Sequence, residues 1–102
     1  MDRLQQLLAM LEKEPGDAFC LYGVAQEHAR GERHEEALAW YDRTIAADPA
    51  YCYAYFHKAR SLEALGRVPE AIATLRTGAD AADRCGDRHA RSEIGGYLDE
   101  LE

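Results

Sequence analysis

No apolar run in the 102 residues approaches the roughly 18 that a membrane-spanning helix needs, which excludes a bilayer span. The first residues, Met1, Asp2, Arg3, Leu4, Gln5 and Gln6, carry neither a basic flank nor an uninterrupted apolar stretch, so a cleaved secretion signal is not expected. Cysteine is scarce: Cys20, Cys52 and Cys85 are odd in number and form no Cys-x-x-Cys pair, which argues against a disulfide framework and a zinc ribbon alike. Free thiols in a cytoplasmic protein are the expectation. Positive charge is also short, with 12 basic against 19 acidic residues and a net charge of −7. A nucleic-acid binder would need a basic stripe to replace phosphate counterions, so nucleic acid is not an expected partner. Only Lys13 and Lys58 of the basic residues are lysine, a bias typical of GC-rich bacterial genomes.

Catalytic signatures are missing as well. There is no glycine-rich phosphate loop, no Gly-x-Ser-x-Gly elbow and no dinucleotide fingerprint. His28, His34, His57 and His89 form no His-x3-His or glutamate-containing metal motif. A Cys20–His28 nucleophile and base pair fails on geometry, because the helix between them holds the two about 12 Å apart. His28 is expected to pack on the inner face of its helix and His34 to sit in a turn. No enzymatic activity, cofactor or metal is expected.

What the sequence does contain is a repeat. Laying the chain on itself with Pro15 over Pro49 also lays Ala25 on Ala59, Arg33 on Arg67, Glu36 on Glu70, Ala37 on Ala71, Leu38 on Ile72 and Ala39 on Ala73. Within each unit the apolar residues fall at helical spacing. Leu21, Val24, Ala25 and His28 mark a helix over 18–30 that Gly31 ends. Ala37, Leu38, Tyr41, Thr44 and Ile45 mark another over 35–47, stopped by Asp48 and Pro49. The second unit repeats this with 52–65, Gly66, and a helix opened by Pro69, where the missing N–H costs nothing. Asp83 stands where a closing proline would fall, so that helix should continue to Arg84 or Cys85 and stop at Gly86. Gly31 precedes the register of Gly66 by one place, which predicts a slightly longer first turn than the second.

Leu4, Leu7, Leu8 and Leu11 predict a fully apolar face on a flanking helix over 2–13. Ala90, Ile94, Tyr97, Leu98 and Leu101 predict another over 87–101, weakened by Gly95 and Gly96 by about 1 kcal/mol each. No segment alternates with a period of two, so strands are not expected.

These residues resemble the tetratricopeptide repeat (TPR), a 34-residue helix–turn–helix unit with the pattern W-x2-L-G-x2-Y, A-x3-F, P. The first unit offers Leu21-x2-Val24-Ala25-x2-His28, Ala37-x3-Tyr41 and Pro49. The second offers Tyr55-x2-Lys58-Ala59-x2-Leu62 and Ala71-x3-Leu75, with Asp83 in place of proline. Ala25, Ala37, Ala59 and Ala71 let helices approach closely. Lys58 stands at a usually apolar place, where its stem should lie along the surface with the ammonium in water. The resemblance implies an all-α, right-handed helical-hairpin solenoid, expected here as five helices in one domain over 1–102. Its parts are an N-terminal half-unit helix (2–14), repeat 1 (15–51), repeat 2 (52–85) and a capping helix (86–102).

The same resemblance implies that Tyr53, Phe56 and Arg60, with Phe19, Tyr22 and Gln26 at the corresponding places of the first unit, line a concave groove. An aromatic and arginine surface suits a peptide-binding hot spot. The other reading is that these aromatics pack against the flanking helices. Some TPR proteins grip a chaperone's C-terminal carboxylate with a lysine and asparagine set; Tyr22, Gln26, Phe56 and Arg60 occupy those places, so that clamp is absent. The expected function is an adaptor that holds a peptide or helix of a protein partner in a short aromatic groove. The alternative is a homo-oligomer formed through the terminal helices. The charge favours a protein partner, because residues 18–79 sum to only −1 while 1–17 carry −2 and 80–102 carry −4.

Overall fold

A computed structural model describes all 102 residues, arranged as helices α1 (Arg3–Lys13), α2 (Ala18–Arg30), α3 (His34–Ala47), α4 (Cys52–Ala64), α5 (Val68–Cys85) and α6 (Arg88–Leu101). There are six helices, not the five counted from the sequence: the two hairpins contribute two each and the flanking segments one each, so the six segments marked by periodicity and turn residues all form. None is long and apolar enough to cross a membrane.

Aspartates set three of the helix starts. Asp2 accepts from the Gln5 N–H and completes a capping box, Asp17 accepts from the Cys20 N–H, and Asp87 accepts from the Ala90 N–H. The second helices of the hairpins, α3 and α5, begin after Arg33 and Arg67 without a side-chain cap; instead glutamates in their first turns complement the helix dipole. Pro69 lies in the first turn of α5, and α5 ends at Gly86 in the left-handed conformation, φ 72°, as its sequence predicts.

The two hairpin turns are equal in length, contrary to the longer first turn expected from Gly31. Arg33 N–H donates to His28 C=O at 2.9 Å and Arg67 N–H to Leu62 C=O at 2.8 Å, the same closure at equivalent places of the two units. The left-handed place is filled by Gly66, φ 77°, in the second turn and by Glu32, φ 60°, in the first. Gly31 keeps a negative φ of −86°, so the turn is built on the residue after it. The hydrogen-bond closure fixes the turn, and it places a side-chain-bearing residue where glycine would fit with less strain.

Packing follows chain order. Each helix lies against the next, α2 also meets α4 and α4 meets α6, while α1, α3 and α5 are not paired with one another. The four repeat alanines, Ala25, Ala37, Ala59 and Ala71, have no exposed surface, consistent with their role as spacers for close helix approach. Around them pack Leu21, Val24, Tyr41, Tyr55, Leu62, Leu75 and Ile94. Buried Thr44 donates to Trp40 C=O at 2.8 Å, and no buried side-chain polar atom lacks a partner. On α1 only Leu7 and Leu11 are buried, on the side that meets α2; Leu8 is exposed, so the apolar face is not buried as a whole. His34 is the first residue of α3 rather than part of the turn, and its Nδ1 lies 3.0 Å from Ser61 Oγ. Lys58 Nζ reaches Asp42 at 2.7 Å, so its ammonium rests on a carboxylate instead of standing free in water.

Candidate binding groove

Because α2, α4 and α6 meet in succession while α1, α3 and α5 do not, the first helices of the units form the inner face of the stack. Two cavities open on that face. The first, about 370 Å³, lies between α2 and α4 and is lined by Gln26, Arg30, His34, His57, Arg60 and Ser61 among others, with no carboxylate. The second, about 530 Å³, lies between α4 and α6 and is lined by Phe56, Tyr97, Arg60 and three glutamates, Glu63, Glu93 and Glu100. Arg60 lines both, is exposed, and has no ion-pair partner, whereas Arg30 is paired with Glu27 at 3.0 Å. The groove thus has a basic half and an acidic half, divided by one cation.

The aromatic side chains form two groups. Tyr22 packs on Tyr51 with ring centroids 4.9 Å apart and meets His57 at 5.8 Å and Tyr41 at 6.1 Å. Burial, reinforced by Tyr51, pushes the Tyr22 hydroxyl up to about 12. The Tyr41 hydroxyl donates to Gln26 Oε1, which fixes the Gln26 amide at the cavity wall. His57 is held below its ordinary pKa by burial first and the Arg60 charge second, so the ring is a neutral surface at pH 7. In the second group Phe56 meets Tyr53 at 6.5 Å and Tyr97 of α6 at 5.3 Å, and the Tyr97 hydroxyl donates to Glu63 at 2.5 Å.

Of the six residues expected at the groove, Gln26 and Arg60 line the first cavity, and Phe56 and Arg60 line the second. Tyr22 supports the first from behind through His57. Tyr53 touches Phe56 but lines neither cavity, and both residues pack on the core with Tyr97, Leu98 and Leu101, so α6 covers part of the aromatic surface. Phe19 stands apart, 61% exposed, in the first turn of α2. His28 stacks on Trp40 and accepts from Arg33 Nε at 3.0 Å, a half-buried, hydrogen-bonded residue that lines neither groove cavity. Sequence reasoning passes over His57. Its spacing from Arg60, which puts both on one face of α4, is the available signal.

No family model matches the chain, and no curated protein matches it. Solved structures do match. The tetratricopeptide repeat domain protein of Salinibacter ruber, in its solution NMR structure, is 32% identical over 86% of this chain and 89% of that one, with a TM-score of 0.80. The chain belongs to the tetratricopeptide repeat family. The TPR fold is matched again at lower identity. The TPR2B domain of yeast Sti1, solved in a complex with pHsp70, is 22% identical with a TM-score of 0.89 over 96% of this chain and 78% of that one. PcrH, solved with the chaperone binding region of PopD, is 18% identical with a TM-score of 0.89 over 96% and 74% of the respective chains. At these identities the likeness is one of fold. Within this TPR chain the two hairpins α2–α3 and α4–α5 carry the repeat pattern, and α1 and α6 flank them.

Proposed function

We propose that this TPR domain is a protein-interaction module that holds a peptide or helix of a partner protein along the face formed by α2, α4 and α6. The observation that carries the reading is Arg60, an exposed cation without an ion pair, set between two open cavities on that face. An arginine framed by aromatic side chains is a favoured interface anchor, because its guanidinium can bond in the plane and stack on rings. Yeast Sti1 TPR2B and PcrH, whose folds superpose on this chain, were each solved with a protein partner, which supports binding over catalysis for this architecture. The partner segment enters beside Phe19, Tyr22 and Gln26 and leaves past Phe56 and Arg60, with Tyr53 supporting Phe56 from below. It presents acidic groups to the Arg30–Arg60 half and basic groups to the glutamate half.

The test uses substitutions that spare the core. Arg60→Glu and Phe19→Ser alter exposed side chains and should leave the melting temperature within a few degrees of the parent. Partner recovered from the native cell by affinity capture should fall roughly tenfold or more for Arg60→Glu. Undiminished capture by both variants would sink the groove reading.

Self-association through the terminal helices is the second reading, and it rests on a separate observation. Met1, Leu8 and Met10, at 81%, 38% and 51% exposure, leave apolar surface on the α1 end of the stack. An exposed apolar face at the end of a solenoid stack is open to pairing. Light scattering over a concentration series decides between them: a constant monomer mass supports the adaptor alone, and a dimer that Leu8→Lys dissociates supports pairing through α1.

A further inference from the structure

Two cysteines far apart in sequence meet in space. Cys52, the first residue of α4, and Cys85, the last of α5, have their Sγ atoms 3.7 Å apart. The cause lies in the helix lengths. α3 has 14 residues and stops before Pro49, whereas α5 has 18 because Asp83 does not stop it. The added turn of α5 carries Cys85 back along the antiparallel hairpin to the start of α4. In the first hairpin the place equivalent to Cys85 is Tyr51, which lies beyond the end of α3, so the juxtaposition belongs to the second hairpin alone.

The two thiols differ in access. Cys52 is 4% exposed and its Sγ donates to Ala50 C=O at 3.3 Å, while Cys85 is open to solvent. A cavity of about 280 Å³ lined by Pro49, Ala50, Ala81 and Arg84 opens beside Cys85, and Arg84 makes no ion pair. The Asp87 charge acts on the Cys52 thiol in the raising direction. Burial and the neighbouring Cys85 push the Cys52 thiol up to about 11. That keeps Cys52 protonated and leaves Cys85 as the sulfur that a reagent in solvent meets first.

We propose that Cys52 and Cys85 are a modification site, a thiol pair that hydrogen peroxide converts to a reversible disulfide. The sulfur of the Cys85 thiolate attacks a peroxide oxygen; the S–O bond forms as the O–O bond breaks, and the departing hydroxide takes a proton to leave as water. Cys85 is then a sulfenic acid and the peroxide is reduced. Cys52 sulfur attacks Cys85 sulfur; the S–S bond forms, the S–O bond breaks, and the hydroxide leaves as water with the Cys52 proton. One peroxide and two thiols give one disulfide and two waters. A dithiol reductant reverses the step by exchange. The sulfurs start 3.7 Å apart and need to close to about 2.05 Å, at two helix ends. The bond closes a loop over the whole α4–α5 hairpin and ties down the first turn of α4, the turn that carries Tyr53. The site stands independently of the groove reading.

The 102-residue chain, treated with equimolar hydrogen peroxide and then alkylated, should keep one reactive thiol of its three, that of Cys20, after unfolding. Non-reducing peptide mass spectrometry should recover a Cys52–Cys85 linked fragment. The melting temperature should rise by roughly 10 °C and return on addition of dithiothreitol. Cys85→Ser, at an exposed position, should fold and lose both the linkage and the shift, while Cys20→Ser should keep them. Three free thiols after treatment, Cys85 recovered only as sulfinic acid, or linkage only between molecules would each overturn the proposal.

Discussion

The hairpins α2–α3 and α4–α5 repeat one pattern in register, yet their turns, interiors and far ends are held by different means. At the turn, Glu32 adopts the left-handed backbone that Gly66 adopts without a Cβ penalty. In the interior, the first hairpin has Leu21, Tyr41 and Thr44 where the second has Tyr55, Leu75 and Gly78, all buried. At the far end, the first stops at Asp48 and Pro49, and the second continues one turn further to Cys85. The four alanines without exposed surface are what the two units share. Small residues at fixed places set the helix approach, and the large side chains around them can then be exchanged if their neighbours change too.

The largest test of this contrast is at Gly78. A Cβ added there would lie 2.6 Å from Tyr55 Cβ, an atom rooted in the backbone, so α4 and α5 would have to separate. Gly78→Ala should therefore destabilise by about 2 kcal/mol in urea unfolding, even though alanine favours a helix by about 1 kcal/mol over glycine. Thr44→Ala, the equivalent position in the first hairpin, loses one buried hydrogen bond and should cost about 1 kcal/mol. A gain in stability for Gly78→Ala would show that the second hairpin is no more tightly approached than the first.

A smaller effect of opposite sign is expected at the turns. Glu32→Gly should stabilise by about 1 kcal/mol by removing left-handed strain, and Gly66→Ala should destabilise by a similar amount. A shift of the urea midpoint in the wrong direction for either variant would mean that turn equivalence is not energetic equivalence.

The smallest effect concerns His57, whose counterpart in the first hairpin is Gly23, packed under Leu7. Burial and Arg60 depress the His57 pKa in the folded chain, so the unfolded chain takes up a proton first as pH falls. The stability contributed by this residue is whole above the unfolded value near 6.5 and is lost below it as pH falls through the folded value. The fall in unfolding free energy between pH 7 and pH 5 should be shallower in His57→Gln than in the parent. Parallel profiles would remove His57 as its source.

Much of this architecture is legible in the sequence because helix periodicity and the repeat offset are local signals. Pro15, Pro49, Pro69 and Gly86 mark boundaries that the helices respect to within a residue or so. The Glu32 turn is misread from sequence because glycine composition is an indirect guide to which residue carries the positive φ, whereas the turn closure that decides it is a hydrogen-bond pattern. The groove is legible as positions and not as surroundings. Spacing places Phe56 and Arg60 on the inner face, but the cover that Tyr97 gives Phe56 depends on how α6 returns after the lengthened α5. The meeting of Cys52 with Cys85 escapes for the same reason, since a contact made by one additional helical turn leaves no periodic trace.

The arrangement in which each helix packs mainly on the next has a kinetic consequence. Nearly every contact joins segments close in sequence, so little loop entropy must be lost before a contact is rewarded, and fast folding is the expected outcome of such a topology. It also means that the chain can open from its ends. α6 is attached through α5 and a narrow contact with α4, and its amide protons should exchange with solvent before those of α2 to α5. Each such opening uncovers Phe56, so the accessibility of that ring is set by how often the last helix lifts as well as by the shape of the closed stack.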